Sequence, residues 1–330
     1  MEIHLYKLLF RHNYRSILLI LWIFILSFLS YSNTILQSET FPGEIEKLIK
    51  YEVKNLSQAV NLINLQEEIN ENYTCIKTKQ LLSTIQTTIC LHDSRDAVSQ
   101  EILEKKIWEE KYLIKLLEFL KRYPQMNFID VGANLGIYTM FAASLGRYVV
   151  SIECFKPNIN RIHKALQIEK LQDNVALISN AIFTISGQYL KLKTDPHNIG
   201  SQAIIIHSSM NYSVINDTSI VKTLRFDDIL PVLQTKHIRH AVMKVDIQWS
   251  ELYLCLTGDK VFDSVNIPVI LMEWDVGAGF HDNIRYILKY FLNRGYVATV
   301  DMCQILDEKD ALYSWPPNIF WMKTNLLKIC

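Results

Sequence analysis

An open α/β sheet covered by helices on both faces is the fold class this sequence predicts, and three observations predict it. Beyond Pro124, short apolar runs alternate with helical patterns in the order βαβαβ. Those runs are apolar enough to be buried on both sides, as strands of a parallel sheet are. The first of them leads directly into a glycine turn, FIDVGANLGIYT at Phe128–Thr139, where open sheets of this kind hold ligands.

The elements follow in chain order. Residues 1–15 form a tail carrying Lys7, Arg11 and Arg15, and residues 16–31, SILLILWIFILSFLSY, carry no charge. Sixteen residues fall a little short of the ~20 that cross a typical bilayer. Asn13 and Tyr14 can extend the span, and thin early-secretory membranes require less. Trp22, Phe24 and Phe28 spread bulk through the segment and no A-x-A-like site ends it, so a retained signal-anchor is expected rather than a cleaved leader. The basic flank belongs in the cytosol. This predicts a single-pass type II membrane protein facing the secretory lumen, with the Golgi as the expected compartment.

Two further features agree with that topology. Four N-x-S/T sequons, at Asn55, Asn72, Asn211 and Asn216, all follow the apolar segment. Cys75 and Cys90 lie fifteen apart in a polar stretch, a spacing compatible with a disulfide, while Cys154, Cys255, Cys303 and Cys330 read as scattered thiols. Residues 32–74 are expected to be a lumenal stem, with a helix over Glu44–Asn72 from the spacing of Ile45, Leu48, Ile49, Leu56, Val60 and Ile63. Residues 75–330 form the main domain. Lys plus Arg and Asp plus Glu are equal at 34 each, so no global field favours nucleic acid. Nothing in the sequence fixes the oligomeric state.

In the main domain, Trp108, Tyr112, Leu113, Leu116, Leu117 and Leu120 mark an amphipathic helix stopped by Pro124. Strands are expected at Phe128–Val131, Tyr148–Glu153, Val175–Ser179, Val242–Asp246, Val269–Trp274, Val297–Val300 and Asn318–Met322, and helices at Gly136–Leu145 and Asn158–Leu171. Between Phe183 and Ile220, YLKLK and QAIIIH alternate polar and apolar residues and predict an antiparallel insertion.

Chemistry gathers at the strand ends. Gly132 and Gly136 have no Cβ to obstruct a ligand, and Asn134 sits between them. The turn lacks the G-x-G-x-x-G spacing of a dinucleotide site and the lysine of a P-loop. Asp130, just before it, would repel phosphate but suits an ammonium group, while the helix start at Gly136 suits a carboxylate. Glu153, ending the next strand, can accept two ribose hydroxyls, and Asn180, after VALIS, can meet an adenine edge. Together these describe S-adenosyl-L-methionine. No H-E-x-x-H, paired C-x-x-C or close His-Asp cluster supports a metal, and no D-x-D supports a metal-bound nucleotide sugar.

FIDVGANLGIYT, VVSIECFKPN, SNAIFTISG, VKTLRFDDIL and MKVDIQWSE together resemble the FkbM-type methyltransferases, over roughly Leu91–Met322. The resemblance implies a Rossmann-like seven-stranded class I methyltransferase sheet, and methyl transfer, commonly to oxygen on sugars or natural products. The anchored, glycosylated, lumenal arrangement is similar to animal members. The family block reads close to K-I-D-x-E-G-x-E, and here Lys244, Asp246 and Glu251 match while Gln248 and Trp249 depart. If the missing acid is the base, the chain is a degenerate binder; if it orients a ligand, activity survives.

Asp246 is the first candidate to accept the acceptor's proton, and Glu273 the second. His92, His197 and His207 read as loop or strand-end residues, and Trp108 and Glu109 as packing and helix-dipole residues.

Overall fold

The computed structural model describes residues 59–329 apart from 94, 194–198, 200, 201, 206–216 and 276–280. The apolar segment 16–31, most of the expected stem, Asn55, Asn211, Asn216, His197 and His207 lie outside the described residues. No helix among the described residues is long and apolar enough to cross a membrane.

A hairpin of β1 (Thr74–Lys77) and β2 (Thr88–Leu91) is followed by α1 (Ala97–Lys105) and α2 (Glu110–Arg122). Then come β3 (Asn127–Val131), α3 (Ile137–Ser144), β4 (Val149–Glu153), α4 (Lys156–Glu169) and β5 (Val175–Ser179). The insertion contributes β6 (Ala181–Ile182), β7 (Tyr189–Lys193), β8 (Ala203–Ile205) and β9 (Ile220–Leu224). The remainder is α5 (Leu230–Thr235), β10 (Ala241–Val245), α6 (Glu251–Thr257), α7 (Asp259–Ser264), β11 (Val269–Glu273), α8 (His281–Asn293), β12 (Tyr296–Thr299) and β13 (Asn318–Lys323).

Seven strands form the central sheet in the order β12-β13-β11-β10-β3-β4-β5. From β11 to β5 the neighbours run parallel, but β13 is antiparallel to both β11 and β12. The sheet is therefore mixed. No α-helix separates β12 from β13, and a return without a crossover helix pairs strands antiparallel. Pleating sends alternate strand residues to opposite faces. Phe128, Val149, Leu177 and Val242 meet Leu113, Leu117, Phe141 and Ile162 of α2, α3 and α4. Ile129, Val150, Met243 and Ile270 meet Leu233, Leu254, Val261 and Phe291 of α5 to α8. The insertion is a four-stranded sheet, β6-β9-β7-β8, whose YLKLK strand buries Leu190 and Leu192 and exposes Tyr189, Lys191 and Lys193.

Two expectations change. The helix over Glu44–Asn72 is absent from its described part, residues 59–72. Leu62 instead bridges Ile178, Ile63 N–H donates to the Leu177 carbonyl, and Ser179 N–H donates to the Asn61 carbonyl. The open edge of β5 offers unpaired backbone groups, and this segment satisfies them. Cys75 and Cys90 are opposite in the hairpin register and form a disulfide, whereas Cys303 is disulfide-bonded too and not a free thiol. Cys154 and Cys255 are free.

Candidate active site

The strand order reverses between β3 and β10, which lie side by side with Asp130 opposite Lys244. Beyond the carboxyl ends of β3, β4, β5, β10 and β11 opens a cavity of about 280 Å³. Of the residues expected at the site, Gly132, Asn134, Glu153, Asn180, Asp246, Gln248 and Glu273 line it. Asp130 and Gly136 do not line it.

Asp130 is fully buried, on the sheet face that carries α3. Its Oδ2 accepts from Thr139 Oγ1 at 2.6 Å, and the same hydroxyl lies 2.9 Å from Ser151 Oγ. Lys244, Asp130 and Ser151 form a polar row across three adjacent strands. Burial raises the Asp130 carboxyl and nearby Lys244 draws it back. The pleat thus places Asp130 beneath the turn and outside the cavity lining, with its Oδ1 buried and unpartnered.

The glycines also act differently from the expectation. Gly132 has φ +81°, and a Cβ there would lie 1.8 Å from the Asp246 carbonyl oxygen. Gly136 has φ +80°, and a Cβ would meet Ile162 Cγ1 at 2.8 Å. Both positions are closed by the protein's own packing rather than left open for a ligand. Asn134, at φ +52°, turns its backbone N–H onto Glu153 Oε2 at 2.8 Å, and its buried Oδ1 has no hydrogen-bond partner.

Glu153 also accepts from Phe155 N–H at 2.8 Å, and burial pushes its carboxyl up to about 7. It remains a cavity-lining carboxylate able to take hydroxyls. Asn180 is committed elsewhere: its Nδ2 donates to the Ala59 and Lys222 carbonyls at 2.9 and 3.1 Å, and its Oδ1 accepts from Asn61 N–H at 2.7 Å. Its amide clamps the N-terminal segment to β5 and β9, so the adenine-edge role falls away from this amide.

At the other end of the cavity, Lys244 Nζ donates to the Gly132 carbonyl at 2.8 Å and pairs with Asp246 Oδ2 at 3.2 Å. Burial alone would lower this ammonium, but Asp246, Asp130 and Glu109 hold it charged. Gln248 Nε2 donates to Asp246 Oδ1 and to Glu273 Oε2, each at 3.0 Å. Burial opposes charge on Asp246, yet Lys244 and then Gln248 keep its carboxyl below the ordinary value. Glu273 goes the other way: burial first, then Asp246 and Glu251, push it up to about 9. The pair therefore holds one proton at neutral pH, on Glu273, with Asp246 ionised. Glu251 Oε1 accepts from Ile247 N–H at 3.0 Å and so fixes the turn that carries Gln248.

Among the lining residues that the sequence does not mark, three come from outside the strand-end loops. Trp108, Glu109 and Asn318 reach the cavity from the start of α2 and the start of β13. Glu109 Oε2 accepts from Tyr138 at 2.9 Å and Oε1 from Asn318 Nδ2 at 3.0 Å. No local motif marks these residues; only the fold brings them in. His92, expected in an exposed turn, is buried, with Nε2 2.6 Å from Asn158 Oδ1, and burial lowers its imidazole.

Four carboxyl groups, of Glu109, Glu153, Asp246 and Glu273, thus border one cavity, with a single ammonium, that of Lys244, against Gly132. That excess suits a cationic ligand with hydroxyls. No group of three or more His, Cys, Asp or Glu side chains among the described residues is placed to hold a metal ion.

A seven-stranded mixed sheet with an acid-lined cavity at its switch point defines an α/β methyltransferase-like protein. Residues 130–298 match the Methyltransferase FkbM domain, and the chain belongs to that family. It is a methyltransferase family whose cofactor is S-adenosylmethionine, and the unpartnered Asn134 Oδ1 and the carboxylate-rich wall fit that cationic ligand. No curated protein matches the chain. Among solved structures, the chain is similar to a SAM-dependent methyltransferase from Agrobacterium tumefaciens (10% identity, 78% of this chain and 72% of that one, TM-score 0.40). It is also similar to an O-methyltransferase from Bacillus cereus in complex with SAH (14%, 69% and 97%, TM-score 0.35). A third is a 16S rRNA methyltransferase from T. thermophilus in complex with AdoMet and guanosine (10%, 84% and 62%, TM-score 0.36). None of the three bears on the substrate of this chain.

Proposed function

We propose that this chain is an O-methyltransferase acting on a hydroxyl of a glycan or another secretory-pathway acceptor. The observation that carries the reading is the Asp246–Gln248–Glu273 cluster at the cavity wall, which keeps one carboxylate ionised and fixed.

S-adenosylmethionine supplies an electrophilic methyl carbon on a sulfonium. Glu153 is suited to the ribose hydroxyls, and Asn134 and the backbone of the Gly132 turn border the same cavity. The bound cofactor would supply the methyl group and depart as the neutral thioether, and Asp246 would take the proton released by the acceptor hydroxyl. Lys244 and Gln248 hold that carboxylate from two sides, one by charge and one by an amide N–H. In this reading Gln248 is a positioning residue, and its lack of an ionisable group avoids a third carboxyl beside Asp246 and Glu273.

The proposed setting is a type II membrane protein in the Golgi lumen, anchored through residues 16–31. Two features support it. The Cys75–Cys90 disulfide needs an oxidising compartment, and Asn72, the first residue of a sequon, is exposed in a loop.

The test uses the full chain. Calorimetry with S-adenosylmethionine, then labelled methyl transfer to glycans, lipids and simple alcohols, measures both steps. Asp246→Asn is expected to keep cofactor affinity within a few-fold and lower transfer about 10²- to 10⁴-fold. Full transfer by that variant, or transfer to nitrogen or carbon alone, would sink the reading.

A further inference from the structure

Within the cofactor reading just given, the amino-acid end of the ligand needs a partner for its ammonium group. The sequence assigns Asp130, and the structure removes it from the cavity. The Gly132 carbonyl, at the same turn, already receives Lys244 Nζ. Three of the four lining carboxyls are also engaged. Glu153 accepts two backbone N–H groups on the β4 side of the cavity, and Asp246 is paired with Lys244. Glu273 shares the Gln248 amide with Asp246.

Glu109 is different. It lines the cavity, it is half-buried, and its hydrogen-bond partners, Tyr138 and Asn318, are both neutral donors. No lysine, arginine or histidine among the described residues lies within ion-pair distance of it. Two donors from two different elements, α3 and β13, fix its carboxylate toward the cavity. Its backbone adopts φ +49°, an unfavourable left-handed conformation for a side chain of this size, at a helix start where it makes no side-chain cap. A carboxyl group held rigidly at a cavity wall with no direct ion pair of its own is a site for an incoming cation.

We propose that Glu109 receives the ammonium group of the amino-acid end of S-adenosylmethionine. Burial raises the Glu109 carboxyl above its ordinary value and Lys244, nearby, draws it part of the way back; an arriving ammonium group draws it further in the same direction. The role is one of binding and orientation, since Glu109 takes no proton from the acceptor.

The experiment is calorimetry on the full chain with two probes, S-adenosylhomocysteine and its deaminated analogue, which keeps the carboxylate and lacks the ammonium. The wild type is expected to prefer S-adenosylhomocysteine by about tenfold or more, the worth of a charge-assisted contact. Glu109→Gln is expected to collapse that preference to near unity while leaving affinity for the deaminated analogue unchanged. Asp130→Asn is expected to retain it. If Glu109→Gln does not fold, Glu109→Asp, which withdraws the carboxylate by one methylene, gives the same ratio. A preference that survives in the Glu109 variants, or is lost only in Asp130→Asn, overturns the proposal and leaves the cofactor assignment standing. No binding of S-adenosylhomocysteine by the wild type overturns the cofactor reading itself.

Discussion

Gln248 and Trp249 stand at φ +49° and +68°, two successive side-chain-bearing residues in the left-handed region. Glycine is the residue that adopts this conformation without strain, and the FkbM-type block has glycine where Trp249 lies. The indole does not offset the strain by burial, because it is 41% exposed, although its Nε1 donates to Asp275 Oδ2 at 3.0 Å. Trp249→Gly is therefore expected to raise the unfolding free energy by about 1 kcal/mol in urea titrations. A fall would mean that the indole's contacts outweigh the backbone strain. The site was legible wherever a residue ends a strand: Glu153, Asp246 and Glu273 were found by counting along apolar runs, and all three line the cavity. Asp130 was misplaced because pleating, not position in the motif, decides which way a side chain faces. Glu109 was invisible as a cavity residue, since its approach depends on how α2 packs on the sheet.

Among the elements, the seven strands of the central sheet were read to within a residue or two because each is a bounded apolar run, whereas β1, β2, β6 and β9 were not read. The mixed sheet was not, because nothing in NIFWMK distinguishes a parallel from an antiparallel strand. The N-terminal segment misled for a related reason: apolar spacing that fits a helix also fits an irregular strip laid on the edge of β5. Asn180 makes that strip part of the domain through two hydrogen bonds to it, at Asn61 and Ala59, and a third to Lys222 of β9. Asn180→Ala is expected to lower stability by about 2 to 4 kcal/mol and to expose residues 59–64 to limited proteolysis. If the variant instead keeps its stability and loses adenosine affinity, the amide reads adenine after all.

For the whole molecule, the buried acids set the response to pH. Burial pushes Glu153 and Glu251 from 4.5 up to about 7, and Glu273 up to about 9. Between 4.5 and those values the folded protein retains protons that the unfolded chain has released. The stability carried by these groups is thus fully present below 4.5, and it is lost as pH rises through about 7 and then about 9. The Tm of the ligand-free chain is expected to fall by roughly 5 °C or more between about pH 5.5 and about pH 9.5. Glu153→Gln should flatten the first step, and a Tm that climbs over this range would show that the acids are not held protonated. The cavity also inherits a mechanical property from Gly132. Because the Asp246 carbonyl fills the space of the missing Cβ, the loop after β3 and the loop after β10 interlock as gear teeth do, and neither can shift without displacing the other. Seating a ligand on one loop would therefore be felt at the carboxylate on the other, so that a single absent methyl group ties the Gly132 turn to Asp246.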